Sequence, residues 1–298
     1  MTLRSRTAPL YRALVPTAVQ DFADVYRHRL IPALSWRLAL PAWRQRWVER
    51  RLNHGRYDWL FVLGLTNSGT TMLASILRQH PFVRSLALEG QQMTAALPQE
   101  IAHGVDRVWA LKPEVFHWTE DSDPSPAARL RHDWAMSYTP RTGILLDKSP
   151  TNSLRSRWLQ RHFSPCRFIT IVRTPYAVCE GIRRRAGQTI DAAALHWSRA
   201  HAILFADMER LERTMWFRYE DFCSAPETHL ERIERFLELP QPFDRAVLRS
   251  VNVSNAPGEA RAVQNLNPAS LARLSRDDIE TINRLAGAEM EKLGYAKM

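Results

Sequence analysis

Lysine is nearly missing from this sequence. Of 41 basic residues only Lys112, Lys148, Lys292 and Lys297 are lysines, so a lysine beside a predicted site is a choice rather than background. Cysteine is almost as sparse. Cys166, Cys179 and Cys223 are odd in number and form no C-x-x-C or Cys/His ligand spacing, which argues against a disulfide framework and a zinc site and suits a reducing, cytoplasmic setting. No apolar run reaches the length of a signal core or a membrane span, so the chain reads as soluble and unprocessed. Acidic residues are outnumbered, 31 to 41, leaving a formal charge of +10. That balance favours anionic partners, but charge alone does not choose among nucleotides, glycans, nucleic acid and membrane surfaces. With no nucleic-acid-binding motif in sight, nucleic acid is not the expected partner.

What is present falls into two parts. Residues 1–55 interleave arginine with leucine, alanine, tryptophan and tyrosine, as in Trp43-Arg44-Gln45-Arg46-Trp47, a composition that predicts amphipathic helices packed on the main domain. Peripheral membrane contact or acceptor docking is the second reading of that segment. Residues 56–298 read as a single catalytic domain. Short apolar runs at 57–64, 143–147, 167–172 and 215–219 suit strands buried on both faces. Helical patterns at 71–79, 153–162, 176–185, 192–212, 227–237 and 277–293 alternate with or follow them. The implied class is α/β, a three-layer α/β/α arrangement around a mostly parallel sheet, with ligands at the carboxyl ends of the strands. A proline-punctuated stretch, 89–141, reads as an insertion of irregular segments and short helices of the kind that carries substrate selectivity. The Pro/Asn-rich stretch 252–268 reads as a loop over the site.

Gly64-Leu65-Thr66-Asn67-Ser68-Gly69-Thr70-Thr71 has the G-x-x-x-x-G spacing of a phosphate loop between a predicted strand and a predicted helix. Backbone N–H groups and the positive helix end can cradle a phosphate there, with Ser68, Gly69, Thr70, Thr71 and Met72 supplying the amides and hydroxyls. A nucleoside triphosphatase or nucleotide kinase would place lysine where Thr70 stands. A donor with a second, separate phosphate needs a second cationic site, and Arg173, after the strand 167–172 and before a helix, supplies a bidentate one.

These segments resemble the sulfotransferase family, whose first signature is a strand, a loop ending Ser-Gly-Thr-Thr and a helix closing with His-Pro, as His80-Pro81 does here. Its second, a strand followed by Arg-x-Pro, is similar to Val172-Arg173-Thr174-Pro175. Asp147-Lys148-Ser149-Pro150 and Tyr219-Glu220-Asp221 match two further family motifs, and the likeness runs from about residue 57 to 295. The resemblance implies a P-loop-type fold that binds 3′-phosphoadenosine 5′-phosphosulfate as sulfuryl donor. It implies that Ser68, Gly69, Thr70 and Thr71 hold the 5′-phosphate, that Arg173 holds the 3′-phosphate and that Tyr219 lies near the adenine.

Two positions depart from the family pattern. Asn67 stands where relatives carry the loop's cation, and Gly181 stands where they carry a serine on the 3′-phosphate, eight residues after the arginine. The missing charge points to Lys148 as the catalytic cation. Among general-base candidates Glu89, just beyond the His80-Pro81 helix end, leads, because the resemblance implies a catalytic glutamate near there, with His103, Glu114 and His117 as rivals. Arg183, Arg184 and Arg185 read mostly as a solvated basic face. No metal is expected, since the sequence shows no acidic cluster suited to magnesium. The functional expectation is sulfuryl transfer to a hydroxyl or amine of a glycan, lipid-linked or small-molecule acceptor. A non-catalytic nucleotide-binding protein of the same fold is the alternative, and a P-loop nucleotide kinase is a more distant one.

Overall fold

A computed structural model of the chain describes residues 30–52, 57–138, 143–252 and 260–298. Two helices come first, α1 (Ile31–Leu38) and α2 (Pro41–Arg51). Each has a proline in its opening turn, where an N–H would have no intrahelical acceptor anyway. The first half of the main domain follows as β1 (Tyr57–Leu63), α3 (Thr70–Leu77), β2 (Val83–Ser85), α4 (Pro113–Phe116), α5 (Ser125–Ala135) and β3 (Gly143–Lys148). The second half runs α6 (Ser156–His162), β4 (Cys166–Val172), α7 (Pro175–Ala186), α8 (Ile190–Met208), β5 (Thr214–Arg218), α9 (Tyr219–Ser224) and α10 (Pro226–Leu237). The chain then adds β6 (Val251–Asn252), β7 (Ala260–Arg261), α11 (Asn267–Leu271) and α12 (Arg276–Lys292). Local sequence sets several of these starts. Thr189 caps α8 by accepting from the Ala192 amide, and Ser275 and Asp278 form a reciprocal capping box on α12.

The central sheet runs β2-β3-β1-β4-β5 and every pairing in it is parallel. Because side chains alternate across a strand, β1 sends Trp59, Phe61 and Leu63 to one face and Leu60 and Val62 to the other. The first face packs against Trp134 of α5 and Trp158 of α6. The second packs against Leu73 and Ile76 of α3 and Leu230 and Ile233 of α10. This is the expected α/β three-layer arrangement. A third apolar cluster joins α7, α8 and α12 through Ile182, Trp197 and Met290 and seats Leu65 of the phosphate loop. The loop therefore stands on packed helices as well as on the sheet.

The four predicted strands are present, and β2 adds an edge strand of three residues that no apolar run announced. The helix expected over 153–162 is interrupted at Arg155: a 3₁₀ turn, Pro150–Leu154, precedes α6. The helix expected over 192–212 ends at Met208. Within 89–141 the described residues form short 3₁₀ turns, α4 and α5. The stretch read as a loop over 252–268 holds the antiparallel β6–β7 pair and α11, and its residues 253–259 lie outside the described residues. So does the first half of the N-terminal segment, 1–29, while α1 and α2 meet α5: Arg51 Nε donates to the Ala135 carbonyl at 2.6 Å. Leu38, Leu40 and Trp43 on this arm are exposed. Among the described residues no helix is long and apolar enough to cross a membrane. All three cysteines are free, and burial pushes the Cys166 thiol up to about 12, far from a reactive thiolate.

Candidate active site

In the sheet order β1 has β3 on one side and β4 on the other, so the connections leave it in opposite directions and open a crevice at the strand ends. The chemistry-bearing segments converge on that edge. The phosphate loop follows β1, Lys148 ends β3, Arg173 follows β4 and Tyr219 follows β5.

The loop is held from within. Ser68 is fully buried, its backbone N–H donates to the Leu65 carbonyl at 3.1 Å and its hydroxyl donates to the same oxygen. Its side chain thus shapes the loop instead of pointing outward. Gly69 caps α3 at φ 100°, and a Cβ there would lie 2.7 Å from Cδ2 of Tyr219, so both the left-handed backbone and the approach of the ring require glycine. The first bond of the helix runs from the Leu73 amide to the Gly69 carbonyl, and N–H groups ahead of it have no acceptor within the helix. Thr70 is buried, and the Met72 side chain is in the core, which leaves Met72 only its backbone to offer.

Arg173 is 8% exposed and fixed by two acceptors. Its Nε donates to Oδ1 of Asn267 at 2.7 Å and its Nη1 to the Asn67 carbonyl at 2.8 Å, while Nη2 is buried without a partner. The guanidinium lies 4.4 Å from the Tyr219 ring centre, a cation–π geometry. Tyr219 is itself buried; its hydroxyl donates to the Gln264 carbonyl at 2.9 Å and accepts from the Leu266 amide at 3.1 Å. Burial pushes the phenol up to about 12, against the opposing pull of Arg173.

Asn67 and Gly181, the two departures, touch each other. Asn67 sits at φ 69°, a left-handed conformation asparagine tolerates, and a Cβ on Gly181 would meet its Cγ and Nδ2 at 2.9 Å.

Lys148 and Glu89 also meet. Lys148 Nζ donates to Glu89 Oε1 at 2.5 Å and to Thr71 Oγ1 at 3.3 Å, and the two charged side chains are only 10% and 13% exposed. Behind Glu89 lies a carboxylate that the sequence did not single out. The Gln91 side-chain amide donates to Glu89 Oε2 at 3.3 Å and to Glu100 Oε1 at 3.2 Å, and Glu100 accepts the Arg107 amide at 2.8 Å. Burial pushes Glu100 up to about 7, with the nearby charges of Glu89 and Asp106 adding to the rise and its hydrogen bonds opposing it. Asp147, fully buried, is likewise pushed up to about 6 by burial, while the Gly90 amide, Ser149 and Asn152 donate to it. Arg155 was also missed: it is fully buried, none of its three guanidinium nitrogens is hydrogen-bonded, and its charge centre lies 5.2 Å from the Trp118 ring. Its burial could not be read from its place near the start of the helix expected over 153–162.

The rival bases have different surroundings. His117 pairs with Asp207 at 3.1 Å, His103 meets Phe116 edge-on, and Glu114 is exposed. Of the basic run on α7, Arg183 pairs with Asp278 and Arg184 with Glu180. Among the described residues no group of His, Cys, Asp or Glu is placed to hold a metal ion.

A model of the sulfotransferase family matches residues 59–244, more than half of the chain. The chain belongs to the sulfotransferase family. Solved structures agree at the level of fold. This sulfotransferase is similar to a sulfotransferase from Mycobacterium avium, with a TM-score of 0.53, 14% identity, and 89% of this chain and 84% of that one covered. It is also similar to the sulfotransferase domain of the olefin synthase of Synechococcus PCC 7002, with a TM-score of 0.50, 20% identity, and 82% and 97% covered. No curated protein matches the sequence.

Proposed function

We propose that this sulfotransferase moves a sulfuryl group from 3′-phosphoadenosine 5′-phosphosulfate to a hydroxyl or amine of a glycan, lipid-linked or small-molecule acceptor. The contact of 2.5 Å between Lys148 and Glu89 beside the phosphate loop carries the reading, because it brings a cation and a base to the one place where both are needed. The amides of Gly69, Thr70 and Thr71 at the start of α3 hold the 5′-phosphate, and Arg173 holds the 3′-phosphate through its unbonded Nη2.

In the reaction the acceptor oxygen or nitrogen attacks sulfur in line with the bridging oxygen. The new bond to sulfur forms as the bond from sulfur to the bridging oxygen breaks. Glu89 takes the acceptor proton, and Lys148 turns from Glu89 toward the bridging oxygen as negative charge grows there. The products are the sulfated acceptor and 3′-phosphoadenosine 5′-phosphate.

The test is transfer of labelled sulfate from the donor to an acceptor panel, paired with calorimetric binding of 3′-phosphoadenosine 5′-phosphate and AMP. Wild type is expected to transfer label and to prefer the 3′-phosphorylated nucleotide, and Arg173→Ala to lose about 10- to 100-fold of that preference, the worth of a hydrogen bond to a charged group. Equal affinity for both nucleotides would defeat the reading. Donor binding without transfer to any acceptor would favour a non-catalytic nucleotide-binding role, for which the uncharged Asn67 is the supporting observation.

A further inference from the structure

We infer, on the sulfuryl-transfer reading above, that Asn67 is a ligand of the donor's 3′-phosphate and does with its side-chain amide what a hydroxyl at position 181 would otherwise do. Three observations meet here. First, the left-handed backbone at Asn67 carries its side chain onto helix α7, where it fills the space that any side chain at Gly181 would need. Its Cβ lies 3.1 Å, and its Cγ and Nδ2 2.9 Å, from where a Cβ on residue 181 would stand. The amide is therefore turned toward the helix that follows Arg173.

Second, Asn67 Nδ2 is buried and has no hydrogen-bond acceptor. A buried donor without a partner is destabilising, so one retained beside a binding loop calls for an acceptor that arrives from outside. Third, the donor is coupled to a second one of the same kind. Arg173 Nη1 is tied to the Asn67 carbonyl and its Nε to Asn267, and Asn267 is in turn held by Glu220, which accepts from its Nδ2 at 2.7 Å. This chain of bonds fixes the fork and leaves Nη2 buried and unbonded. One cationic and one neutral donor, linked through a single residue, suit an oxyanion with several lone pairs.

On this account the two departures compensate each other. Asn67 gives up the part of a loop cation, which falls to Lys148, and takes a phosphate contact that glycine at 181 cannot make.

The experiment measures affinities for 3′-phosphoadenosine 5′-phosphate and AMP by calorimetry in wild type, Asn67→Gly, Asn67→Asp, Gly181→Ser and the Asn67→Gly/Gly181→Ser pair, with thermal unfolding of each as a folding control. Asn67→Gly keeps the left-handed backbone and should cut the preference for the 3′-phosphorylated nucleotide about ten-fold, the worth of one hydrogen bond to a charged group. Asn67→Asp, the same shape with a negative charge, should cut it further. Gly181→Ser alone should weaken binding, because its Cβ meets the Asn67 amide, whereas in the Asn67→Gly background it should restore the preference. Undiminished preference in Asn67→Gly, or no recovery in the pair, would overturn the inference and leave the function standing. No preference in wild type would remove both.

Discussion

Replacing Lys148 with methionine tests the proposed division of labour most directly. Methionine keeps much of the length and the apolar stem but removes the charge that sits 2.5 Å from Glu89 and 3.3 Å from Thr71. A full charge about 4 Å from an oxygen that gains about half a charge is worth about 2 kcal/mol at an effective dielectric of about 20. Because that charge develops only in the transition state, and the donated hydrogen bond strengthens with it, kcat should fall by about two to three orders of magnitude, as when one oxyanion donor is removed. Affinity for 3′-phosphoadenosine 5′-phosphate should change little. Single-turnover transfer of labelled sulfate at saturating donor measures the effect, and Lys148→Arg, which keeps the charge on a differently shaped head, should recover part of it. The ion pair supplies a control that needs no acceptor. Lys148→Met leaves Glu89 largely buried without its cation, so the single variant should unfold at a lower temperature than the Lys148→Met/Glu89→Gln pair, which leaves no charge unpaired. Turnover of Lys148→Met within about three-fold of wild type would refute the assignment.

Glu100 should make stability depend on pH. With a carboxyl raised to about 7 in the folded protein from 4.5, the folded state holds a proton that the unfolded state has released, so the stabilisation is full below about pH 4.5 and is lost as pH rises through 7. Glu100→Gln, which keeps the shape of the protonated acid, is therefore expected to melt about 5 °C above wild type at pH 8. Scanning calorimetry at both ends of the range checks it, and a gain confined to acid pH would contradict the sign. Tyr219→Phe removes the hydroxyl shared by Gln264 and Leu266, and should cost about 1 kcal/mol of stability and a few-fold of nucleotide affinity, with kcat nearly unchanged. Chemical denaturation and calorimetry read the two losses, and a collapse of kcat at unaltered affinity would place Tyr219 in the chemistry instead.

The parts of the fold that showed in the sequence were those in which one local signal dominates. The runs around Leu60 and Ile169 are mostly apolar because both faces of those strands are covered, and the loop after β1 announced itself through glycine spacing. β2 did not, because three residues pairing at a sheet edge take their conformation from β3 and not from their own pattern. The site divides in the same way. Arg173 and Lys148 could be singled out from their places at strand ends, and Glu89 only through the family resemblance. Glu100 could not, since its raised pKa comes from burial, with the charges of Glu89 and Asp106 adding to it against the pull of its hydrogen bonds, and none of this shows before the chain is folded. Asn67 and Gly181 were each visible as an oddity. That one fills the space left by the other needed the distance between them, although two departures in one binding site were already a hint of compensation.

The sheet order also separates the two halves of the reaction physically. The segments proposed to grip the donor follow β1, β4 and β5, whereas the long excursion from Leu86 to the start of β3 leaves and rejoins the sheet on the other side of β1. That excursion carries Glu89, Gln91, Glu100 and the tryptophans at 109, 118 and 134, and it meets the loop through the Lys148–Glu89 ion pair and through the apolar cluster that Trp109 and Phe116 share with Leu65. Such a layout behaves like a socket with an interchangeable fitting. With the buried side chains that pack on the sheet and on Leu65 kept, Trp109 and Trp134 among them, and with Glu89 and Lys148 in place, exchanging the exposed positions of 92–138 for those of a relative should leave the nucleotide grip intact and change the preferred acceptor.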